Sequence, residues 1–249
     1  MHDAIAGADR LVVLTGAGIS TDSGIQDFRG PNGLWTKNPE AEKRATLQHY
    51  VSDRDARVAS WRARVDAPVF RAEPNRGHHA IAERSRRLGL HGLITQNVDG
   101  LHQAAGVDPW KVVEVHGTVH EWQCLRCAAG GPIQDALDRV RAGEDDPACP
   151  RCRGIIKTAT ISFGQQLVPE VIERAFELAR ECDVLVAVGT TLAVYPVAGV
   201  VPEAKRHGAR VVILNSHPTE MDDLADDVVR GQIGDHLPAM LGVEQFLTQ

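Results

Sequence analysis

No stretch of this 249-residue chain approaches 18 uninterrupted apolar residues, so there is no candidate for a membrane-spanning helix. The first residues, Met1, His2 and Asp3, lack the basic start and apolar run of a secretory leader, and the expected location is the cytoplasm. Positive charge is not in excess either: 27 Lys and Arg stand against 33 Asp and Glu, a formal net charge of -6. Nucleic-acid binding needs clustered cations that release counterions from phosphates, so it is not expected here. There is no internal repeat and no low-complexity tract, which excludes a solenoid or a biased linker. What remains has an ordinary balance, 43% hydrophobic and 24% charged. That balance supports a packed core, and the length suits one main domain carrying something small.

Five cysteines make an odd count, and four fall into Cys124-x2-Cys127 and Cys149-x2-Cys152, with 21 residues between the pairs. This is metal-ligand spacing and not a disulfide framework. Two such knuckles can close a tetrahedral thiolate site with no open coordination position, so the expected ion is one structural zinc. A redox dithiol is the rival reading, but it needs no second pair. Cys182, ahead of an apolar run, reads as buried filler.

Leu11 to Leu14 is a continuous apolar run ending in Thr15-Gly16-Ala17-Gly18, the pattern of a strand covered on both faces that feeds a glycine turn. Asn75 is placed to cap a helix running to about Leu88, and Gly92 to Thr95 reads as a short buried strand. Lys111 to Val115, Val184 to Val188 and Val211 to Leu214 are further strands; Pro169 to Glu181 and Pro196 to His207 are helices. This alternation predicts an α/β fold with a doubly wound parallel sheet. Two segments break the rhythm. Residues 39–73 are polar and helix-prone, a helical insertion, and residues 119–157 hold the paired cysteines with Pro132, Pro147 and Pro150. The main domain is then residues 1–38, 74–118 and 158–249.

Open parallel sheets bind ligands beyond the carboxyl ends of their strands, and the polar residues collect there. Gly16, Ala17, Gly18, Ile19 and Ser20 offer small residues whose backbone can approach a pyrophosphate. The third glycine of the usual dinucleotide fingerprint would fall at Thr21, so an ordinary tight turn stands beside this reading. Asp27, Phe28 and Arg29 lie in a glycine-bounded loop suited to covering a flat, charged ligand. Gln96, Asn97 and Asp99 crowd amide and acid groups after the second strand, where a solvated Asx turn is the plainer alternative. His116 ends the third strand with a side chain that titrates near neutrality. Gly189, Thr190 and Thr191 end one later strand, and Asn215 and Ser216 the next; their hydroxyls and amides suit ribose and phosphate.

In combination these residues resemble the sirtuin family of NAD-dependent protein deacylases, in its bacterial form. The motifs are Gly-Ala-Gly-Ile-Ser closing in Asp-Phe-Arg-Gly, then Thr-Gln-Asn-Val-Asp, then His116-Gly117, the paired cysteines, Phe163-Gly164 and Gly189-Thr190-Thr191-Leu192-Ala193-Val194-Tyr195-Pro196. They occur in the family's order and span most of the chain. The resemblance implies a Rossmann-like sheet with a small zinc-ribbon module, NAD across the sheet, and acetyl-lysine in a tunnel between the two. It implies that Asn97 and Asp99 hold the ribose and nicotinamide region and that Phe28 shields the reacting face. Phe163, Gly164, Val194 and Tyr195 would flank a peptide that adds as a strand. The implied reaction expels nicotinamide when the acyl oxygen attacks the ribose. His116 then acts as general base on a ribose hydroxyl, and the products are free lysine and O-acetyl-ADP-ribose.

Two residues depart from the family pattern. Gln26 stands in place of a proline, which would loosen the loop over nicotinamide, and Gln165 in place of a glutamate removes a charge beside the peptide groove. Members that remove succinyl groups carry Tyr-x-x-Arg in the helical insertion; Trp61-Arg62-Ala63-Arg64 lacks the phenol, so acetyl is favoured and Arg64 is expected to be an exposed helix charge. Mono-ADP-ribosyl transfer uses the same NAD cleavage and is the nearest rival. A zinc-stabilised NAD sensor that has lost catalysis is disfavoured by the intact Asn97 and His116.

Overall fold

The computed structural model describes residues 5–28, 30, 33–38 and 45–247. Strand β1 (Leu11–Thr15) feeds a 3-10 turn, Ala17–Ser23, where the glycine turn is expected. Helices α1 (Leu34–Lys37), α2 (Leu47–Ser52), α3 (Arg54–Val65) and α4 (Arg76–Arg87) lead to β2 (Gly92–Thr95). Helix α5 (Leu101–Ala104) and β3 (Val112–Glu114) follow, then β4 (Gly117–Cys124), β5 (Gly130–Pro132), α6 (Ile133–Arg141) and β6 (Ile156–Thr160). The chain closes through α7 (Pro169–Glu181), β7 (Val184–Val188), α8 (Val200–Arg206), β8 (Arg210–Leu214), β9 (Asp227–Val229) and α9 (Ile233–Met240).

Six strands form a parallel sheet in the order β3-β2-β1-β7-β8-β9. The alternation of side chains along β1 explains why its apolar run is unbroken. Leu11 and Val13 enter one core with Ile81 of α4 and Leu237 of α9; Val12 and Leu14 enter the other with Leu178 of α7 and Val201 of α8. Every residue of β1 and of β7 is buried. The chain runs outward from β1 to β3 and resumes on the opposite side at β7. The switch point of the sheet therefore lies between Thr15 and Val188, at the carboxyl ends of the two central strands.

Helix α4 starts at the cap expected of Asn75. Asn75 Oδ1 accepts from the N–H groups of Gly77 and His78, and His78 Nδ1 accepts in return from the N–H of Asn75. The helix expected from Pro196 to His207 is instead a 3-10 turn, Val197–Gly199, followed by α8.

Strands β5, β4 and β6 form a separate antiparallel sheet with its own core, in which Trp122, Ile133, Leu137 and Ile156 meet Cys124 and Cys149. Trp61 of α3 is buried in this same core, so the helical insertion packs on the cysteine-bearing sheet. Residues 39–44 of that insertion lie outside the described residues. Helix α2 is capped by Thr46 and α3 by Asp53. Arg64 is not the exposed charge expected of it. Its guanidinium is buried, which lowers its pKa, and it donates to the Ser60 carbonyl at 3.0 Å, to the Ser60 hydroxyl and to Thr158 Oγ1 at 3.4 Å.

The insertion is fastened by Arg57, whose Nε and Nη2 reach the Asp146 carboxylate at 3.0–3.2 Å while Nη1 donates to the carbonyls of Tyr50 and Val51. Arg57 is only 9% exposed, so removing its charge deprives two carbonyls of a donor and leaves Asp146 with Arg54 alone, 3.9 Å away. Arg57→Ala should lower unfolding stability by about 3 kcal/mol. The neighbouring Arg62–Asp145 pair, at 2.6 Å, is exposed on both sides, and Arg62→Ala should cost less than about 1 kcal/mol. Paired urea melts check both, and equal midpoints for the two variants would contradict the assignment.

Candidate active site

The loops at the switch point are sewn together by backbone bonds. Gly16 N–H donates to the Val188 carbonyl at 3.0 Å, Gly18 N–H to the Gly189 carbonyl at 2.8 Å, and Gly189 N–H to the Leu214 carbonyl at 3.0 Å. Such close approach leaves no room for a side chain. A Cβ on Gly18 would lie 2.8 Å from Gly189, and one on Gly189, at φ +61, would lie 2.6 Å from the Ile19 nitrogen. Ala17 opens the 3-10 turn, and Ile19 is buried beneath it. Beside this seam a cavity of about 550 Å³ is lined by Gly18, Asp22, Asp27, Asn215, Ser216 and Gln232. Its size falls in the range of nucleotide-type ligands. Asn215 Nδ2 donates to the His217 carbonyl and Ser216 Oγ to the Gly231 carbonyl, which fixes both side chains at its rim. The backbone-walled seam and adjoining cavity fit an extended dinucleotide such as NAD.

Deeper in, a polar network fixes the groups after β2. Thr190 Oγ1 accepts from Gln96 Nε2 at 2.9 Å, and Gly189 with Thr190 and Thr191 carries that contact at the end of β7. Asn97 Nδ2 donates to the Gly16 carbonyl and to Ser20 Oγ, both at 3.1 Å. With both amide hydrogens committed, what Asn97 offers a ligand is the acceptor Oδ1. Ser20 Oγ in turn donates to Asp99 Oδ2 at 2.8 Å, while Asp99 Oδ1 accepts from the N–H of Leu101.

Two histidines absent from the sequence-based expectations lie under this layer. His78 Nε2 is 3.5 Å from Ser20 Oγ, and His102 Nε2 is 2.9 Å from Thr15 Oγ1, which donates to Thr95 Oγ1. Thr95 Oγ1 accepts the N–H of Asn97, so the hydroxyl chain from His102 ends on Asn97. The rings are 4.9 Å apart. Burial pushes the His78 pKa down to about 4, against a smaller opposing pull from Asp99, and burial takes His102 well below its ordinary value. Nothing in their local sequence separates them from the other histidines; only the fold buries them.

Because both folded-state pKa values lie below the unfolded value, the unfolded chain binds more protons across the interval between them. Stability is therefore full above about pH 6.5 and falls as pH drops toward about 4, by roughly 2–3 kcal/mol for His78. Urea midpoints measured across that window should decline on acidification, with a shallower decline in His78→Asn. Parallel profiles would refute the assignment.

His116 lies at the end of β3, as its spacing in the sequence implies. Its Nδ1 is 2.9 Å from the Gln96 carbonyl, which can only accept, so Nδ1 carries the proton and Nε2 keeps its lone pair. Burial lowers its pKa, partly opposed by the bond to Gln96, and holds the ring neutral at pH 7. The His116 carbonyl accepts the N–H of Ile161, tying the residue to the segment after β6.

Phe28 and Phe163, distant in sequence, are joined by Trp35. Ring centroids are 4.5 Å apart for Phe28–Trp35 and 5.1 Å for Trp35–Phe163. Trp35 is not among the expected site residues, because a lone aromatic in the single-turn helix α1 carries no periodic signal. Phe163 exchanges backbone bonds with Ala45 and Leu47, and Gly164 follows at φ +77. Gln165 Oε1 accepts the N–H of Ser162, so the glutamine in place of glutamate holds its own turn. Tyr195 is exposed and Val194 half-buried, on the loop after β7. Arg29 lies outside the described residues.

The four paired cysteines converge: their sulfurs lie within 4.8 Å of one another, at 3.5 Å for Cys124–Cys152 and 3.7 Å for Cys127–Cys149. Both distances exceed a disulfide bond and match the separation of about 3.8 Å that four sulfurs take around tetrahedral zinc. Each knuckle turns back through a residue at positive φ, Ala128 and Arg153. The four thiols fit one zinc ion, and no metal cluster reaches the switch point among the described residues. Cys182 is buried against α7, where burial pushes its thiol up to about 11.

Comparison with known proteins agrees with this geometry. Residues 16–196 match the Sir2 family. The chain is 50% identical over 237 residues to NAD-dependent protein deacetylase 2 of Streptomyces coelicolor, covering 95% of this chain and 98% of that one. It is 44% identical over 247 residues to NAD-dependent protein deacetylase 1 of Bradyrhizobium diazoefficiens, covering 97% and 94%. Among solved structures, Sir2 with a p53 peptide and NAD+ superposes with a TM-score of 0.86 at 30% identity, covering 98% and 97% of the two chains. A Sir2 homologue with ADP-ribose superposes at 0.88 and 32%, covering 99% and 96%. With the glycine seam, the Asn97 and His116 arrangement and the four-cysteine cluster all within a family match that extends over most of its length, this chain belongs to the Sir2, or sirtuin, family.

Proposed function

We propose that this chain removes acetyl groups from lysine side chains of proteins, consuming NAD and one water and releasing nicotinamide, O-acetyl-ADP-ribose and free lysine. The observation that carries the chemistry is the His116 imidazole, neutral and oriented by the Gln96 carbonyl so that Nε2 has an open lone pair at the end of β3. NAD supplies a ribose carbon from which nicotinamide can leave and hydroxyls that become nucleophilic once deprotonated. His116 Nε2 takes the proton of a ribose hydroxyl. Asn97, through Oδ1, and Asp99, braced by Ser20, hold the ribose and nicotinamide region. Gly16 to Ser20, Asp27, Gln96, Gly189 to Thr191, Asn215 and Ser216 bind the rest of the dinucleotide. Arg29 is proposed with them from the family motif alone. Phe28, backed by Trp35, excludes water from the reacting face, a role its partial exposure and ring contact support.

Phe163, Gly164, Val194 and Tyr195 are proposed to flank the acyl-lysine peptide as an added strand. Solved Sir2 structures that hold a p53 peptide support this choice of partner. The net charge of -6 favours protein over nucleic-acid partners. We place the enzyme in the cytoplasm, where a four-thiolate zinc site stays reduced; no helix among the described residues is long and apolar enough to cross a membrane. We further propose that residues 1–38, 74–118 and 158–249 form the NAD-binding domain, 39–73 the helical insertion and 119–157 the zinc module. The separate core around the cysteines supports that division.

Acetyl is preferred over succinyl because Trp61 is withdrawn into the core and Arg64 turns its guanidinium to Ser60 and Thr158. Incubation with acetyl-lysine and succinyl-lysine peptides, with and without NAD, should show NAD-dependent loss of acetyl matched by nicotinamide, at least about tenfold faster than loss of succinyl. Faster succinyl release would reverse the acyl assignment. ADP-ribose left on protein, read by mass, would instead establish ribosyl transfer.

A further inference from the structure

Strand β4 does not pair evenly with β6. Gly117 is opposite Thr160 and Trp122 is opposite Thr158, so the four residues between them on β4 have only one counterpart and bulge out of the ladder. Such bulges bend a strand and redirect its groups. Here the bulge faces the loop after β2. The N–H of Val119 donates to the Val98 carbonyl at 2.9 Å, and His120 Nε2 lies 2.7 Å from the Asp99 carbonyl. That carbonyl can only accept, so His120 donates. Two consecutive carbonyls of the loop are thus held by β4, while the Asp99 carboxylate is held from the other side by Ser20 and Leu101.

The surroundings are built around this contact. Phe70 meets the His120 ring edge to face, at 6.0 Å and 77°. Gly100, at φ +71, leaves the space the imidazole needs, since a Cβ there would lie 2.8 Å from Nε2. On its open side the ring borders a cavity of about 390 Å³ lined by Phe70, Leu101, Glu114 and Glu121. Truncating His120 would enlarge an existing opening and leave the packed cores untouched.

We infer that His120 is a positioning residue for NAD: it latches the first strand of the cysteine-bearing sheet onto the peptide carbonyl of Asp99, and so holds the loop in its binding geometry before ligand arrives. The inference rests on the reading of this site as the NAD site. The backbone bond from Val119 would form with any side chain at that position, whereas the His120 bond belongs to this residue. Without it the loop keeps its inner contacts and loses one of two outer ones, and ordering that segment is then charged against NAD binding.

The test is calorimetric titration of NAD into zinc-loaded wild type, His120→Ala and His120→Gln, with a thermal melt of each. The glutamine amide can place a donor where Nε2 lies. The expected result is a Kd for NAD raised about three- to tenfold in the alanine variant, the worth of one neutral hydrogen bond. The glutamine variant should return to within about twofold of wild type, with melting temperatures alike in all three. Unchanged NAD affinity in His120→Ala overturns the inference, as does equal weakening in both variants. If the wild type itself bound no NAD, the dinucleotide reading would fall first and this inference with it.

Discussion

Replacing His116 with alanine is expected to reduce NAD-dependent deacetylation at least about 100-fold, the usual worth of a positioned general base. The side chain is half-buried and makes one hydrogen bond, to the Gln96 carbonyl, so the variant should fold and bind NAD. His116→Asn sharpens the test. Its amide can donate to Gln96 as Nδ1 does, yet it has no basic nitrogen. If His116 acts by taking a proton, both variants lose product formation alike, while exchange of labelled nicotinamide into NAD, which precedes that step, survives better. If His116 only oriented the loop, asparagine would restore much of the rate. A wild-type rate in either variant would remove His116 from the chemistry. The lowered pKa adds a direction: because burial keeps the ring neutral, the acid limb of the rate profile should lie below pH 6.5.

The second large effect concerns the metal. Cys149→Ser removes a fully buried thiolate from a core whose other members are Trp122, Ile133, Leu137 and Ile156. Loss of the ion leaves three thiolates facing one another with nothing to bind, and zinc sites of this kind contribute on the order of 10 kcal/mol to folding. The expected outcome is a zinc content falling from one per chain to none and a melting temperature lower by about ten degrees or more. Amide exchange should accelerate from β4 to β6, while the parallel sheet keeps its protection. Activity should fall too, because β4 carries the bonds to Val98 and Asp99 and the segment after β6 is tied to His116. A serine variant with normal zinc content and protection would refute the four-cysteine assignment.

Much of this arrangement is legible in the order of the amino acids. Covered strands announce themselves as apolar runs, and β1, β2, β7 and β8 fall within a residue of where those runs lie. Asn75 marks the start of α4 because a side-chain oxygen is needed there by unpaired N–H groups. Other elements are harder to see despite local signals. Helix α6 has Ile133, Ala136, Leu137 and Val140 at helical spacing, but it is short and follows Pro132 in a stretch dominated by cysteines and prolines. Helix α9 has Ile233, Leu237 and Met240 on one face, with Pro238 inside it as a contrary sign.

Residue type and near neighbours are enough to specify a parallel doubly wound sheet, a four-thiolate zinc site, glycine where loops must touch, and His116 at a strand end. Which of the remaining groups matter follows only from the folded arrangement, because burial and long-range contact have no local signature. His78 and His102 become neutral partners of the polar network around Asn97 and Asp99 only once helices α4 and α5 bring them together beneath Thr15 and Ser20. Trp35 joins Phe28 to Phe163 across more than a hundred residues. Arg64 reads as a surface charge on a helix until β6 covers it, and His120 is one histidine among eleven until a bulge turns it onto the Asp99 carbonyl. In each case the free energy of the group is set by what is excluded from around it, and chain order does not specify that.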